Sequence, residues 1–208
     1  MNAKRNVGVV LTVVALAYAV GRMGPATGHG SGTWAQEPSP PTAEMQAYRE
    51  AATPGPRHRL LDELVGEWTC EFTIWMDPDG PPLVSRGTLS RRWVLDGRFL
   101  EETIKADLDE GSFEGVGYIG YSNLDGQYEM VWMDNMSTAI YTETGTYHTD
   151  TRILQSRGSH RDPPTGHMVH SWTKLNMTEP DHHTWVGHAT GSDGRVYKAF
   201  EGSARRSR

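Results

Sequence analysis

The chain has 208 residues and a formal charge of −6 at pH 7, enough for one domain with extensions and too acidic to favour nucleic acid or an anionic membrane as partner. Twenty-three glycines and twelve prolines suit a turn-rich β protein, and seven Trp with eight Tyr still supply bulk for a core. No long-period repeat is visible, which argues against a solenoid or propeller.

Lys4 and Arg5 precede an apolar run from Val7 to Val20. Its length, about 14 residues, matches a signal-peptide core and falls short of the about 20 that a spanning helix needs. Thr33-Trp34-Ala35 is a small-x-small cleavage site. Residues 1–35 are therefore expected to be a signal peptide of an exported protein, periplasmic or extracellular, with an uncleaved N-terminal anchor as the alternative. No cysteine lies near the site, so a lipoprotein anchor is excluded. Lys4, Arg5 and Arg22 are the charged residues of this segment, so the remainder carries −9, three positive charges fewer than the whole.

Residues 36–56 read as a proline-rich linker with a short helix inside it, Ala43 to Ala52, capped by Thr42. His58 to Leu64 forms one apolar ridge of Leu60, Leu61 and Leu64, expected to plug a barrel end. From Gly66 onward about ten strands follow at spacings of roughly 8–15 residues. In the first, Trp68, Cys70, Phe72, Ile74 and Met76 alternate with Glu67, Thr69, Glu71 and Thr73, one face apolar and the other polar. Turns fall at Asp77-Pro78-Asp79-Gly80, Asp96-Gly97, Asn123-Leu124-Asp125-Gly126, Glu179-Pro180-Asp181 and Asp193-Gly194. Asp96-Gly97 is expected at the centre of a type I′ turn. Antiparallel strands with short turns remove their edges by closing. The expected fold is thus an all-β antiparallel meander over residues 57–203, closed into a barrel, with residues 204–208 as a solvated basic tail. Trp68, Phe72, Trp93, Phe99, Trp132 and Phe200 are expected in its core.

Gly115 to Gly120 spells GxGxxG, a dinucleotide fingerprint only where a helix follows. Here a turn and another strand follow, so the glycines mark a bend or close packing.

Several of these segments carry a resemblance: Gly66-Glu67-Trp68, Trp93 to Glu101, Phe113 to Gly117, Gly120 to Asn123, Tyr128, and Trp132 to Met136. From about Pro54 to Ser203 the chain resembles the bacterial family called domain of unknown function 1579, whose members resemble calycin barrels (lipocalins, fatty-acid-binding proteins, nitrobindins). The resemblance implies a fold and no catalytic residues. By it, Gly66, Trp68, Trp93, Gly97, Arg98, Phe99 and Asp134 are structural. Trp68 closes one barrel end against a late basic residue, expected to be Arg195 or Lys198.

Site candidates are less specific. Cys70 is the lone cysteine, so no internal disulfide exists, and its parity suggests a buried thiol. His167, His170, His182, His183 and His188 cluster near the C-terminus, but without ligand spacing. His170, His182, His183 and His188 remain candidates for a metal, or for haem by analogy with nitrobindins, and no other cofactor is expected. Glu101, Glu102, Asp134 and Glu143 could do acid–base work in a barrel, or pair with Arg91, Arg92 and Arg98. No nucleophile elbow or phosphate loop is present. The favoured reading is a barrel that binds a small apolar or amphipathic molecule without catalysis, lined by Tyr118, Tyr121, Tyr128, Met130, Trp132, Tyr141 and Trp172, with nearby glycines leaving space. Parity leaves open which face points inward. A catalytic barrel and a filled, purely structural one are the alternatives.

Overall fold

A computed structural model describes residues 42–108, 111–163, 165–191 and 193–208. The expected signal segment lies outside them. Ten strands form one closed antiparallel barrel in which each strand pairs with its sequence neighbours and the last pairs with the first. They are β1 (Gly66–Ile74), β2 (Leu83–Val94), β3 (Phe99–Leu108), β4 (Gly111–Ser122), β5 (Gln127–Asp134), β6 (Tyr141–His148), β7 (Ile153–Arg161), β8 (Met168–Glu179), β9 (His182–Thr190) and β10 (Val196–Arg206). Among the described residues no helix is long and apolar enough to cross a membrane.

Among the described residues two helices precede the sheet: α1 (Ala43–Ala52) and α2 (Pro56–Arg59), followed by a 3-10 turn at Asp62–Leu64. Thr42 caps α1 by accepting from the Met45 N–H, as short polar side chains do for an unpaired first turn. At the other end, the Asn123 amide donates to the carbonyls of Glu50, Ala51 and Thr53. The β4–β5 turn thereby holds an otherwise wholly exposed helix. The apolar ridge that follows acts as a plug: Leu61 and Leu64, both fully buried, pack with Leu100, Tyr128, Tyr147, Leu154 and Met177. Tyr128 donates its hydroxyl to the Arg57 carbonyl at 2.7 Å, which satisfies the one polar atom of a ring otherwise sunk in the core.

Trp68 occupies the seam where β1 meets β10. Its indole N–H donates to the Leu64 carbonyl at 3.0 Å, and the Arg206 guanidinium lies 4.2 Å over its ring. Arg206 also donates to the carbonyls of Val65, Glu63 and Pro180 and to the Asp181 carboxylate. The expected partner, Arg195 or Lys198, is corrected by this. Arg195 pairs with Asp193 and Asp79 on the surface, while Lys198 lies over Trp75. The expected basic tail is corrected too, since β10 runs through Arg206 opposite Trp68.

The β2–β3 connection turns one residue earlier than expected. Leu95 and Asp96 hold the two positive φ values (49° and 56°) of the turn closed by Gly97 N–H to Val94 carbonyl, and Gly97 follows at +79°. Leucine there is unfavourable by propensity, but the Arg98 guanidinium donates to its carbonyl and its side chain is exposed. The shift sets the parity of β3, so Leu100 faces inward and Phe99 outward, 40% exposed over Gly120. The expectation that Phe99 belongs to the core is therefore corrected. Trp68 and Phe72 are buried, whereas Trp93, Trp132 and Phe200 are half-buried.

Candidate functional site

The lumen is the candidate site, and its two ends differ. At the plugged end, inward residues from β3, β5, β7 and β8 are sealed under Leu61 and Leu64. Along β1–β4 the wall is packed by Trp68, Phe72, Leu89, Ile104 and Phe113. On β5–β10 the inner face is mixed: Tyr128, Tyr147, Leu154, Val169, Leu175 and Ala189 are buried, and other inward residues are not. Trp132, Tyr141, Glu143, Thr173, Trp185 and Phe200 all face inward by register, yet each keeps solvent-accessible surface. An inward residue that is not buried borders open space.

Glycines shape that space in a way opposite to the expectation. They do not leave voids; rings lie across them. The Trp132 ring covers Gly115 and Gly117, where a Cβ on Gly117 would sit 2.8 Å from its Cε3. Trp185 covers Gly202 in the same manner, and Phe200 covers Gly187. Missing side chains let the rings lie against the wall. A β-bulge between Lys198 and Phe200 flips the local parity, so both Tyr197 and Phe200 point inward. Gly115 to Gly120 falls wholly inside β4, followed by a turn and β5, so no helix N-terminus stands behind the GxGxxG string.

The expected lining residues separate into two faces. Tyr121, Tyr128, Met130, Trp132 and Tyr141 face inward. Tyr121 and Tyr128 meet at 5.1 Å in the plug, and Tyr141 meets the inward His160 at 5.2 Å. Tyr118 and Trp172 point outward, which removes them from the lining. Tyr118 donates to Glu101 at 3.1 Å, which raises its pKa by holding the proton against a carboxylate. Trp172 stacks on His188 at 5.9 Å. Asp134 sits at the rim, where it accepts from the Trp132 indole at 2.9 Å and from the Met136 N–H.

The histidines do not converge. His170 and His188 lie on the outer face, and His182 sits beside Glu179 at 3.5 Å. Of these four, only His183 points in. It is fully buried, 4.4 Å from the Trp68 ring centroid, and neither ring nitrogen has a partner among the described residues. Burial, then Arg91, Arg206, His182 and Arg152, lower its pKa to about 4, so it is neutral at physiological pH. Among the described residues no three His, Cys, Asp or Glu side chains group as a metal site would require. Burial raises the Cys70 pKa, which keeps the thiol protonated and unreactive.

The strand carboxylates divide by parity. Glu101 pairs with Arg92 on the outside. Glu102 faces in and pairs with the buried Arg91 at 2.5 Å, an interaction needed to hold a charge away from water. Glu143 also faces in. It accepts from the hydroxyls of Ser156 and Thr173 and forms no ion pair among the described residues. Sequence reasoning placed Glu143 on a strand but could not place it inside. Thr173 and Trp185 were missed as lining, because the turn around Pro180 leaves the register of β8 and β9 open in the sequence, and Phe200 was expected in the core.

Comparison with known proteins adds a family and a fold. A family described as "Protein of unknown function (DUF1579)" matches residues 53–206. No curated protein matches by sequence. Among solved structures, Rv2717c from M. tuberculosis is similar with a TM-score of 0.56 and 17% identity, over 75% of this chain and 100% of that one. The S-type phycobiliprotein lyase CPES from Guillardia theta is similar with a TM-score of 0.53 and 11% identity, over 81% of this chain and 99% of that one. At such identities the likeness is one of fold.

Proposed function

For a chain that belongs to the DUF1579 family, named for an unknown function, we propose that the barrel binds a small apolar or amphipathic molecule in its lumen, without catalysis. One observation carries this reading: inward residues are sealed at the plugged end, while Trp132, Tyr141, Glu143, Thr173, Trp185 and Phe200 keep accessible surface. A barrel filled for structure alone would have buried Trp132, Trp185 and Phe200 as thoroughly as Tyr128. Aromatic walls with a few convergent polar groups are the general character of small-molecule sites. A neighbour in fold is a lyase by name, which makes catalysis the reading to test against. Against it, the inward Glu102 is bound to the buried Arg91, and Glu143 has hydroxyl partners with no base or nucleophile chain behind them among the described residues.

Titration of the purified protein with isoprenoids, fatty acids and haem, followed by intrinsic Trp fluorescence and thermal unfolding, tests the proposal. Trp132 and Trp185 line the lumen, so an occupant changes their emission. A ligand present at about 100 times its dissociation constant stabilises the fold by about 2.7 kcal/mol. No spectral or thermal response to any of them, or to a long-chain amine or alcohol, sinks the reading. Export is part of the same proposal, motivated by Lys4, Arg5, the Val7–Val20 run and Thr33-Trp34-Ala35. N-terminal sequencing of the mature protein should begin at Gln36, and an intact N-terminus in the membrane fraction would replace cleavage by an anchor.

A further inference from the structure

Resting on the lumen as a ligand site, we propose that its occupant is a cation: a small molecule with an apolar body and a protonated amine, the amine held by Glu143. By register Glu143 points inward from β6 beside Gly158 of β7. A Cβ on Gly158 would stand 3.0 Å from the Glu143 Cγ. The acidic side chain therefore runs along the wall, in room that the glycine leaves, and ends inside the barrel.

Two hydroxyls orient its head, Ser156 donating to Oε2 and Thr173 to Oε1. A carboxylate has about four acceptor positions, so each oxygen keeps capacity for a further donor. The half-buried state of Glu143 leaves that capacity facing the open part of the lumen.

Charge accounting decides the sign of the guest. Arg91 and Glu102 cancel. Arg206 is committed to the Trp68 face, three carbonyls and Asp181 at the plugged end. Asp134 at the rim is occupied by the Trp132 indole and the Met136 N–H. His183 lies buried against Trp68, and His160 sits at the rim beside Tyr141. Glu143 and the rim Asp134 are what remain, inward carboxylates without a counter-ion among the described residues, and Glu143 lies two residues further from the strand end. Inside a lumen of reduced dielectric an anionic guest would be repelled by it. An ammonium supplies both the missing charge and N–H donors, as a charge-assisted hydrogen bond. The rings that flank the open space favour the same guest, because indole faces attract cations.

Three probes with one apolar body separate the possibilities: n-octylamine, 1-octanol and octanoate, titrated calorimetrically into the full chain at pH 8. The expected order is octylamine tightest, at least tenfold over octanol, with octanoate weakest. Octanol should displace octylamine competitively. Glu143→Gln keeps the shape and the acceptor while removing the charge. It should bring octylamine to the level of octanol and leave octanol unchanged. If all three bind and octylamine is not preferred, or if Glu143→Gln keeps the amine preference, the cation assignment is overturned while the lumen survives as a ligand site. If none of the three binds, the lumen reading itself falls, and this inference with it.

Discussion

Single residues at the barrel seam should dominate its stability. Trp68→Ala removes a fully buried ring and leaves a cavity, which for Trp costs about 3–5 kcal/mol. Arg206→Ala would lose the contact over that ring and several bonds to carbonyls that tie the plug to β10. We expect a loss of about 1–3 kcal/mol in denaturant unfolding. His183 should make stability depend on pH. Its folded pKa is lowered to about 4 from 6.5, so between those values the unfolded chain binds the extra proton. Stability is complete above about pH 6.5 and falls as pH drops toward 4, by up to about 1.4 kcal/mol per pH unit. His58 is also lowered, by burial and by Arg59, and acts with the same sign. Thermal unfolding across pH 4–8 should therefore show a slope that His183→Met flattens without abolishing. An unchanged slope would move the effect elsewhere.

At the scale of the element, Gly115 is the position where strand and site meet. Its missing side chain is occupied by the Trp132 ring, and its φ is not positive, so alanine is tolerated by the backbone and rejected by the ring. Gly115→Ala should push Trp132 off the wall into the lumen, costing about 1–3 kcal/mol by overpacking and weakening any lumen ligand. Unaltered Trp emission and affinity would contradict that. Helix α1 and its Thr42 cap, the plug, and the order of the strands were all legible in the sequence, because capping and alternation are local. Inward and outward were less so. A one-residue difference in a turn reverses a whole strand, and Leu95-Asp96 in place of Asp96-Gly97 moved Phe99 to the surface. The bulge after Lys198 shifts the parity of β10, so that Tyr197 and Phe200 both reach the inner face. Tyr118 and Tyr121, three residues apart, were grouped as one lining but necessarily face opposite ways. Glu143 sits in Thr-Glu-Thr-Gly-Thr, where no apolar alternation marks the inner face. Arg206 was invisible as a partner of Trp68, since only the closed barrel brings them together.

At the scale of the molecule, closure rests on the pairing of β1 with β10, from Trp68 opposite Arg206 to Ile74 opposite Phe200. Ending the chain at Ser203 removes the pairs of Cys70, Thr69 and Trp68 with Ala204, Arg205 and Arg206. It also frees the plug. We expect loss of a single cooperative thermal transition, together with dye binding that reports exposed apolar surface. A truncated protein that melts as one unit near the full-length temperature would show that the seam is dispensable.

The same seam sets a timetable during synthesis. The partner of Trp68 is made 138 residues after it, counting from 68 to 206. At about 5–20 residues per second the nascent chain waits roughly 7–28 s before β1 can be covered. Throughout that wait β1 carries an open row of backbone donors and acceptors, with Trp68, Cys70 and Phe72 on one face. Such an edge invites pairing with other chains. A holding factor that binds the emerging β1 should therefore raise the yield of folded protein, and one that releases it before Arg206 has been made should not.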